Sequence, residues 1–365
     1  MRAALLEAPG RPLAIRDDVE IEAPRTGEVR VRVSHCGVCH SDLSLADGTF
    51  PAPLPVILGH EASGVIESVG PGVAGLAPGD PVVLTPCPPC GACPWCVRGE
   101  AELCVQSRGI QTHALPDGRT GLSRAGAPVY RGVNVGGFAE LVLAPATGAV
   151  KIPPGVPLET ACLIGCAIQT GVGAVLNTAR VEAGANVLVL GLGGVGLAAV
   201  QGARLAGAAR ILASDPLEER REAAARLGAT HLVDPARDDV VERAHAVCGI
   251  GADYAFECAG RGPLVEAALA AVRPGGTAVA IGAPPLSDAI ALRPAAAFVI
   301  SGKKLLASVL GSSNSLREIP RLVALWQAGR LDLEAFVSAR RPLDEIDAAL
   351  ADLAAGRGVR SVLSL

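Results

Sequence analysis

A short apolar run, NVLVL (186–190), leads directly into G-L-G-G-V-G at Gly191 to Gly196, and Asp215 follows 19 residues after Gly196. An apolar strand, a glycine turn and a helix in that order leave few folds open. The glycines permit a tight strand-to-helix turn, close approach of a pyrophosphate and close packing of helix on strand. The helix N-terminus then faces the phosphates. With 44 glycines in 365 residues the glycine spacing alone says little, and its place between strand and helix is what gives it weight. Asp215, at the end of the next strand, can accept both ribose hydroxyls of a dinucleotide and repels a 2′-phosphate, which favours NAD over NADP. The competing reading of Asp215 is an N-cap to the following helix with Glu218 as capping partner.

The same rhythm continues on either side. RILAS, THLVD, ADYAFECAG and GTAVAIGAP read as strands separated by helices, which is a doubly wound parallel sheet. Alternation ends after about residue 305, where SLREIPRLVALWQAG and LDEIDAALADLAAG read as amphipathic helices and VRSVLSL as a terminal strand. Before residue 150 the chain reads instead as short strands and turns, beginning with the alternating EVRVRVSHCG. Residues 105–130 are polar and glycine-rich and read as a long surface loop or lobe.

Cys90, Cys93, Cys96 and Cys104 form C-x2-C-x2-C-x7-C. Four thiolates close a tetrahedral zinc shell and leave no open position, which is a structural site. Cys87 extends the run upstream, so 87/90/93/96 is a rival set by spacing. Cys39 in G-V-C-H-S-D and His60 in G-H-E are candidates for a second metal site. Spacing does not choose its third ligand among Cys36, Cys162 and Cys166. His35, His113, His231 and His245 have no partners in sequence and read as surface or core histidines.

The length favours two domains, and half the residues are apolar, so burying a core is no difficulty. A net charge of −4 without basic or acidic blocks argues against nucleic acid and anionic membrane as partners. It also counts against a zinc-ribbon interaction protein. Two charge-free runs, 160–179 and 183–203, carry polar residues or glycines and read as buried segments rather than membrane spans. Eleven cysteines and no apolar export signal at the start point to the reducing cytoplasm.

Taken together, these residues resemble the zinc-containing alcohol dehydrogenases of the medium-chain dehydrogenase/reductase superfamily, over essentially the whole chain. G-V-C39-H-S41-D42, G-H60-E61 and L-I-G-C166-A-I-Q-T170-G resemble the segments carrying that family's three catalytic zinc ligands. The resemblance thereby selects Cys166 as third ligand, and Cys90, Cys93, Cys96 and Cys104 as the structural set. V-R360-S-V-L resembles the strand whose arginine reaches the cofactor phosphates.

What the resemblance implies is an α/β architecture: a GroES-like β-rich catalytic domain (1–167 and 306–365) with a structural zinc lobe, and a Rossmann NAD-binding domain (168–305). It implies two zincs per chain, NAD, a small-molecule alcohol or aldehyde, and a homodimer. Hydride would pass between the alcohol/aldehyde pair and NAD. Ser41 would take the hydroxyl proton, with Asp42 and Glu61 acting around the metal and His40 at the cofactor pyrophosphate. Thr170, Gly191, Gly193, Gly194, Val195, Gly196, Asp215, Arg220 and Arg360 complete the cofactor set. A thiol-adduct (S-hydroxymethyl) dehydrogenase and a nicotinoprotein that keeps its NAD are close variants of the same reading. Ser44 stands where many members have the histidine that ends the proton relay, and Gln169 stands where a smaller residue is usual.

Overall fold

The computed structural model describes residues 1–292 and 294–365. The chain divides into two units, Met1–Cys166 with Asn314–Leu365, and Ala167–Ser313.

The Ala167–Ser313 unit holds six parallel strands in the order His231–Val233, Arg210–Ser214, Asn186–Leu190, Ala252–Glu257, Val272–Ala280, Lys304–Ala307. The first strand in sequence has the second on one side and the fourth on the other, so the winding reverses between Asn186–Leu190 and Ala252–Glu257. In such sheets ligands bind at that reversal, off the carboxyl ends of the strands. Leu188, Leu190, Leu212, Ala255 and Ala278 are buried between sheet and helices. Small residues set the spacing of the helices. A Cβ on Gly171 would lie 2.2 Å from the Val195 carbonyl oxygen, so helix Ala167–Gly173 rests directly on helix Gly194–Ala206. The sixth strand corrects the expected boundary at residue 305. Lys304–Ala307 pairs in register with Thr277–Ala280 and belongs to this sheet.

The other unit is built on a seven-stranded sheet. Along its path run Ala149–Lys151, Pro81–Leu84, Glu61–Val69, Glu28–Gly37, Arg360–Ser364 and Val337–Pro342, with Leu141–Pro145 also paired to Glu28–Gly37. EVRVRVSHCG alternates as its pattern requires: Val29, Val31 and Val33 are buried, while Arg30 and Arg32 turn outward onto Glu67. The sheet register does something local pattern cannot. Gly37 pairs with Glu61 on one neighbour and with Val362 on the other, so three distant segments meet at one strand end.

Residues 105–130, expected as a long surface loop or lobe, form the second of these. They contain the turns Val105–Arg108 and Gly109–Thr112, bury Ser107, His113 and Leu115, and pair Leu122 with Ile21. Among the described residues no single helix is long and apolar enough to cross a membrane.

Candidate active site

Cys39 ends the turn after strand Glu28–Gly37, His60 directly precedes strand Glu61–Val69, and Cys166 follows the turn Cys162–Gly165. Their ligand atoms all lie within 4.8 Å of one another. Asp42 organises two of the three. Its Oδ2 accepts the Cys39 N–H at 3.0 Å, and its Oδ1 accepts the Gly59 N–H at 2.8 Å and faces His60 Nδ1 at 3.2 Å. A carboxylate at Nδ1 makes that nitrogen the donor and leaves the Nε2 lone pair for a metal. Gly59 is required here twice over: its φ is +87°, and a Cβ would lie 2.4 Å from the Phe138 ring. Burial disfavours the His60 cation, but Asp42 and Cys39 outweigh it and hold the ring's pKa well above that of a free imidazole.

Glu61 and Arg360 lie beside Cys39. The guanidinium meets the carboxylate at two points, Nε–Oε2 3.1 Å and Nη2–Oε1 3.3 Å, and Nη2 also reaches Cys39 Sγ at 3.4 Å. Burial pushes Glu61 up to about 7 even with this cation against it. Hydrogen bonding from Cys166, then Arg360 and His60, draw the Cys39 thiol well down toward thiolate against the cost of its burial. Two sulfurs and one imidazole are a soft, borderline donor set that suits zinc, and three ligands leave a tetrahedral ion one open position.

Cys90, Cys93, Cys96 and Cys104 form the second cluster, their sulfurs also within 4.8 Å of one another. Backbone donors point at them: Cys90 N–H to Cys104 Sγ at 3.2 Å, Cys93 N–H to Cys90 Sγ at 3.3 Å and Gln106 N–H to Cys104 Sγ at 3.4 Å. Backbone N–H groups of Cys96 and Val105 draw the Cys93 thiol down to about 6. Cys87 lies outside this group, buried, with its thiol pushed up to about 12 by that burial. Four sulfurs so close are tolerable as thiolates only around a cation, and four ligands close the shell.

In the Ala167–Ser313 unit the glycine turn is shaped for close approach. Gly191 has φ +85°, and a Cβ on Gly196 would lie 1.8 Å from the Gly191 carbonyl oxygen, whereas one on Gly193 would meet nothing within 4 Å. Asp215 Oδ2 accepts the Leu192 N–H at 2.8 Å and Oδ1 accepts the Leu217 N–H at 2.9 Å. The helix begins at Glu218 with Leu217 as its N-cap, so the N-cap reading of Asp215 is replaced by a brace between the glycine turn and the next one. Arg220 Nη1 lies 3.8 Å from the same carboxylate.

Comparison with known proteins places the whole chain in one family. Residues 25–154 match the alcohol dehydrogenase GroES-like domain and residues 194–326 the zinc-binding dehydrogenase domain. An S-(hydroxymethyl)glutathione dehydrogenase of Escherichia coli is 38% identical, covering 99% of both chains. A zinc-binding alcohol dehydrogenase domain protein from Burkholderia ambifaria superposes with a TM-score of 0.95 at 38% identity, over 100% of this chain and 98% of its own. The chain belongs to the zinc-containing alcohol dehydrogenases of the medium-chain superfamily. Benzyl alcohol dehydrogenase from Acinetobacter calcoaceticus is similar too, with a TM-score of 0.94 at 32% identity over 100% of this chain and 99% of that one.

As such a dehydrogenase it uses zinc and NAD and acts on small-molecule alcohols or aldehydes. Its expected site residues separate by unit. Cys39, Asp42, His60, Glu61, Cys166 and Arg360 converge around one metal position. Gly191, Gly193, Gly196, Asp215 and Arg220 converge at the Rossmann turn, with Gly194 and Val195 opening its helix and Thr170 buried on the neighbouring one. Ser41 is half-buried in the first turn of helix His40–Ala46, His40 is exposed and Ser44 is buried. The arginine expected at the cofactor phosphates has its Nε and both Nη atoms bonded inside its own unit. Gly37 and Gly59 escaped sequence reading. Their signal is positional, each standing beside a ligand segment.

Proposed function

We propose that Cys39, His60 and Cys166 hold the catalytic zinc of an NAD-dependent dehydrogenase for small primary alcohols, with Ser41 as first proton acceptor and Asp215 as the ribose ligand. The observation that carries this is the trio itself: three ligand atoms within 4.8 Å, two of their residues braced by Asp42. Zinc bound there supplies Lewis acidity that lowers the pKa of an alcohol hydroxyl. Asp42 keeps the His60 ring oriented. Arg360 and Glu61 hold the charge beside Cys39 nearly balanced. Ser41, two residues from Cys39, takes the hydroxyl proton and passes it toward the cofactor ribose. Buried Ser44 has a hydroxyl too weakly basic to end that relay, so water or the exposed His40 carries the proton out. Thr170 and Arg220 are proposed to complete the cofactor contacts, whereas Arg360, engaged on Glu61 and Cys39, acts beside the metal ligands.

The test is an alcohol and aldehyde panel assayed with NAD, with NADP, with an artificial acceptor lacking added NAD, and with formaldehyde plus glutathione. Turnover of simple alcohols with NAD supports the proposal. Activity confined to the glutathione adduct assigns the S-hydroxymethyl reading instead, and turnover without added NAD assigns a nicotinoprotein. Cys166→Ser should abolish turnover and lower zinc from two per chain toward one. Full activity in that variant would sink the ligand assignment.

We also infer a cytoplasmic homodimer. The eleven free thiols suit a reducing compartment. Strand Lys304–Ala307 is a sheet edge, and Leu286, Val299, Ile300, Leu306 and Val309 are exposed around it in sequence. An apolar edge of this kind is covered by pairing with a second copy. Sedimentation equilibrium tests it, and Leu306→Lys should shift the protein toward monomer.

A further inference from the structure

Arg131 is 1% exposed, and among the described residues no carboxylate lies within ion-pair distance of it. Its Nη2 donates to the Asn134 carbonyl oxygen at 3.1 Å, while Nη1 has no partner. Glu28, the carboxylate whose charge acts on it, is already bonded to Arg119 at 2.5 Å, and the Arg119 charge acts in opposition. An enclosed guanidinium without a counter-ion is costly. Beside it lies a cavity of about 10 Å³ lined by Leu84, Thr85, Arg131, Asn134, Val142 and Ala144, among others. That is room for one particle about the size of a water molecule.

We propose that this cavity binds a single small monovalent anion of the chloride class, held by Arg131 Nη1. Asn134 Oδ1, the other orphaned atom among the lining residues, is an acceptor that a water would satisfy, so the bromide experiment below is what separates the two occupants. Thr85 adds a hydroxyl to the wall. Its Oγ1 accepts the Cys87 N–H at 3.3 Å and shares a hydrogen bond with Ser315 Oγ at 2.8 Å.

The site has a consequence for the metal. Arg131 anchors the segment that runs on to Gly137 and Phe138, whose N–H groups bond to Gly59 O at 2.7 Å and Leu58 O at 2.9 Å. Gly59 in turn donates to Asp42. An anion at Arg131 therefore steadies the chain behind His60.

The experiment uses the zinc-loaded enzyme. Thermal midpoints are measured in sodium chloride and in sodium gluconate at equal ionic strength, and a bromide-soaked crystal is examined for anomalous scattering. Chloride should raise the midpoint by about 2–4 °C over gluconate, and bromide should appear beside Arg131 Nη1. Arg131→Met should abolish the chloride-specific rise. Equal midpoints in the two salts for the unaltered enzyme, or a water in place of bromide, overturns the proposal. The crystal reads the unaltered chain, so failure of Arg131→Met to fold leaves the decision intact.

Discussion

Glu61 and Arg360 face each other across two hydrogen bonds with side chains 0% and 4% exposed, although 299 positions separate them in the chain. Nothing near either residue in sequence announces the pair. Strand register creates it, because Gly37 is flanked by Glu61 on one side and Val362 on the other.

Breaking that pair from one side should cost far more than removing it whole. Arg360→Met leaves a carboxylate buried without its cation and should lower stability by about 3–5 kcal/mol. Adding Glu61→Gln to it should recover most of the loss. Urea unfolding of both variants decides this, and additive losses in the double variant would mean the two residues act independently.

Asp42→Asn retains shape but cannot offer two anionic oxygens to Cys39 N–H, Gly59 N–H and His60 Nδ1. Retention of the catalytic zinc against a competing chelator should fall about 10–100-fold, with the four-cysteine zinc unchanged. Equal loss from both sites would point to general unfolding instead.

Gly37→Ala adds a Cβ 2.5 Å from Glu61 Oε2 and 2.9 Å from Leu163 Cδ2. The carboxylate must move off Arg360 or the strand must shift, at about 1–3 kcal/mol. A thermal midpoint indistinguishable from that of the parent enzyme would show that the strand end yields more readily than its packing implies.

Asp215→Ala should weaken NADH binding about tenfold or more, about 1.4 kcal/mol or beyond, and narrow the preference over NADPH. It also strips the Leu192 and Leu217 N–H groups of their acceptor. Fluorescence titration with both reduced cofactors measures each effect, and unchanged NADH affinity removes Asp215 from the site.

A pH effect follows from Asp253. Burial pushes its carboxyl up, but the Asn186 N–H at 2.7 Å and Arg273 Nε at 2.6 Å together outweigh it and hold the pKa below the usual value. A depressed acid stabilises the fold above its unfolded pKa of about 3.9 and loses that contribution as pH falls through the folded value. Asp253→Asn should therefore be less stable at neutral pH and show a shallower stability loss below about pH 4. An unaltered acid slope would remove this residue from the acid response.

How far the chain could be read beforehand depended on distance along it. NVLVL followed by Gly191–Gly196 is a local pattern, and the Rossmann turn stands where it was expected. The four-cysteine set is local as well: spacing alone leaves Cys87 as a rival, the family resemblance sets it aside, and the four sulfurs that cluster exclude it. Lys304–Ala307 was lost because a short edge strand looks like the start of the tail. For residues 105–130 the polar composition does not separate loop from lobe, because the few apolar side chains among them do the packing. Asp215 stands out by its spacing from the glycines, but its bonds to the Leu192 and Leu217 N–H groups do not, since a brace between two turns has no sequence signature.

The long separation of Glu61 from Arg360 also carries a clock. At about 5–20 residues per second, a ribosome that has finished Glu61 needs roughly 15–60 s more to reach Arg360. Throughout that interval Cys39, His60 and, later, Cys166 are already made, while the cation that faces both Glu61 and Cys39 is not. Until the strand Arg360–Ser364 docks against Glu28–Gly37, Glu61 and Cys39 lack the cation that faces them both in the finished fold.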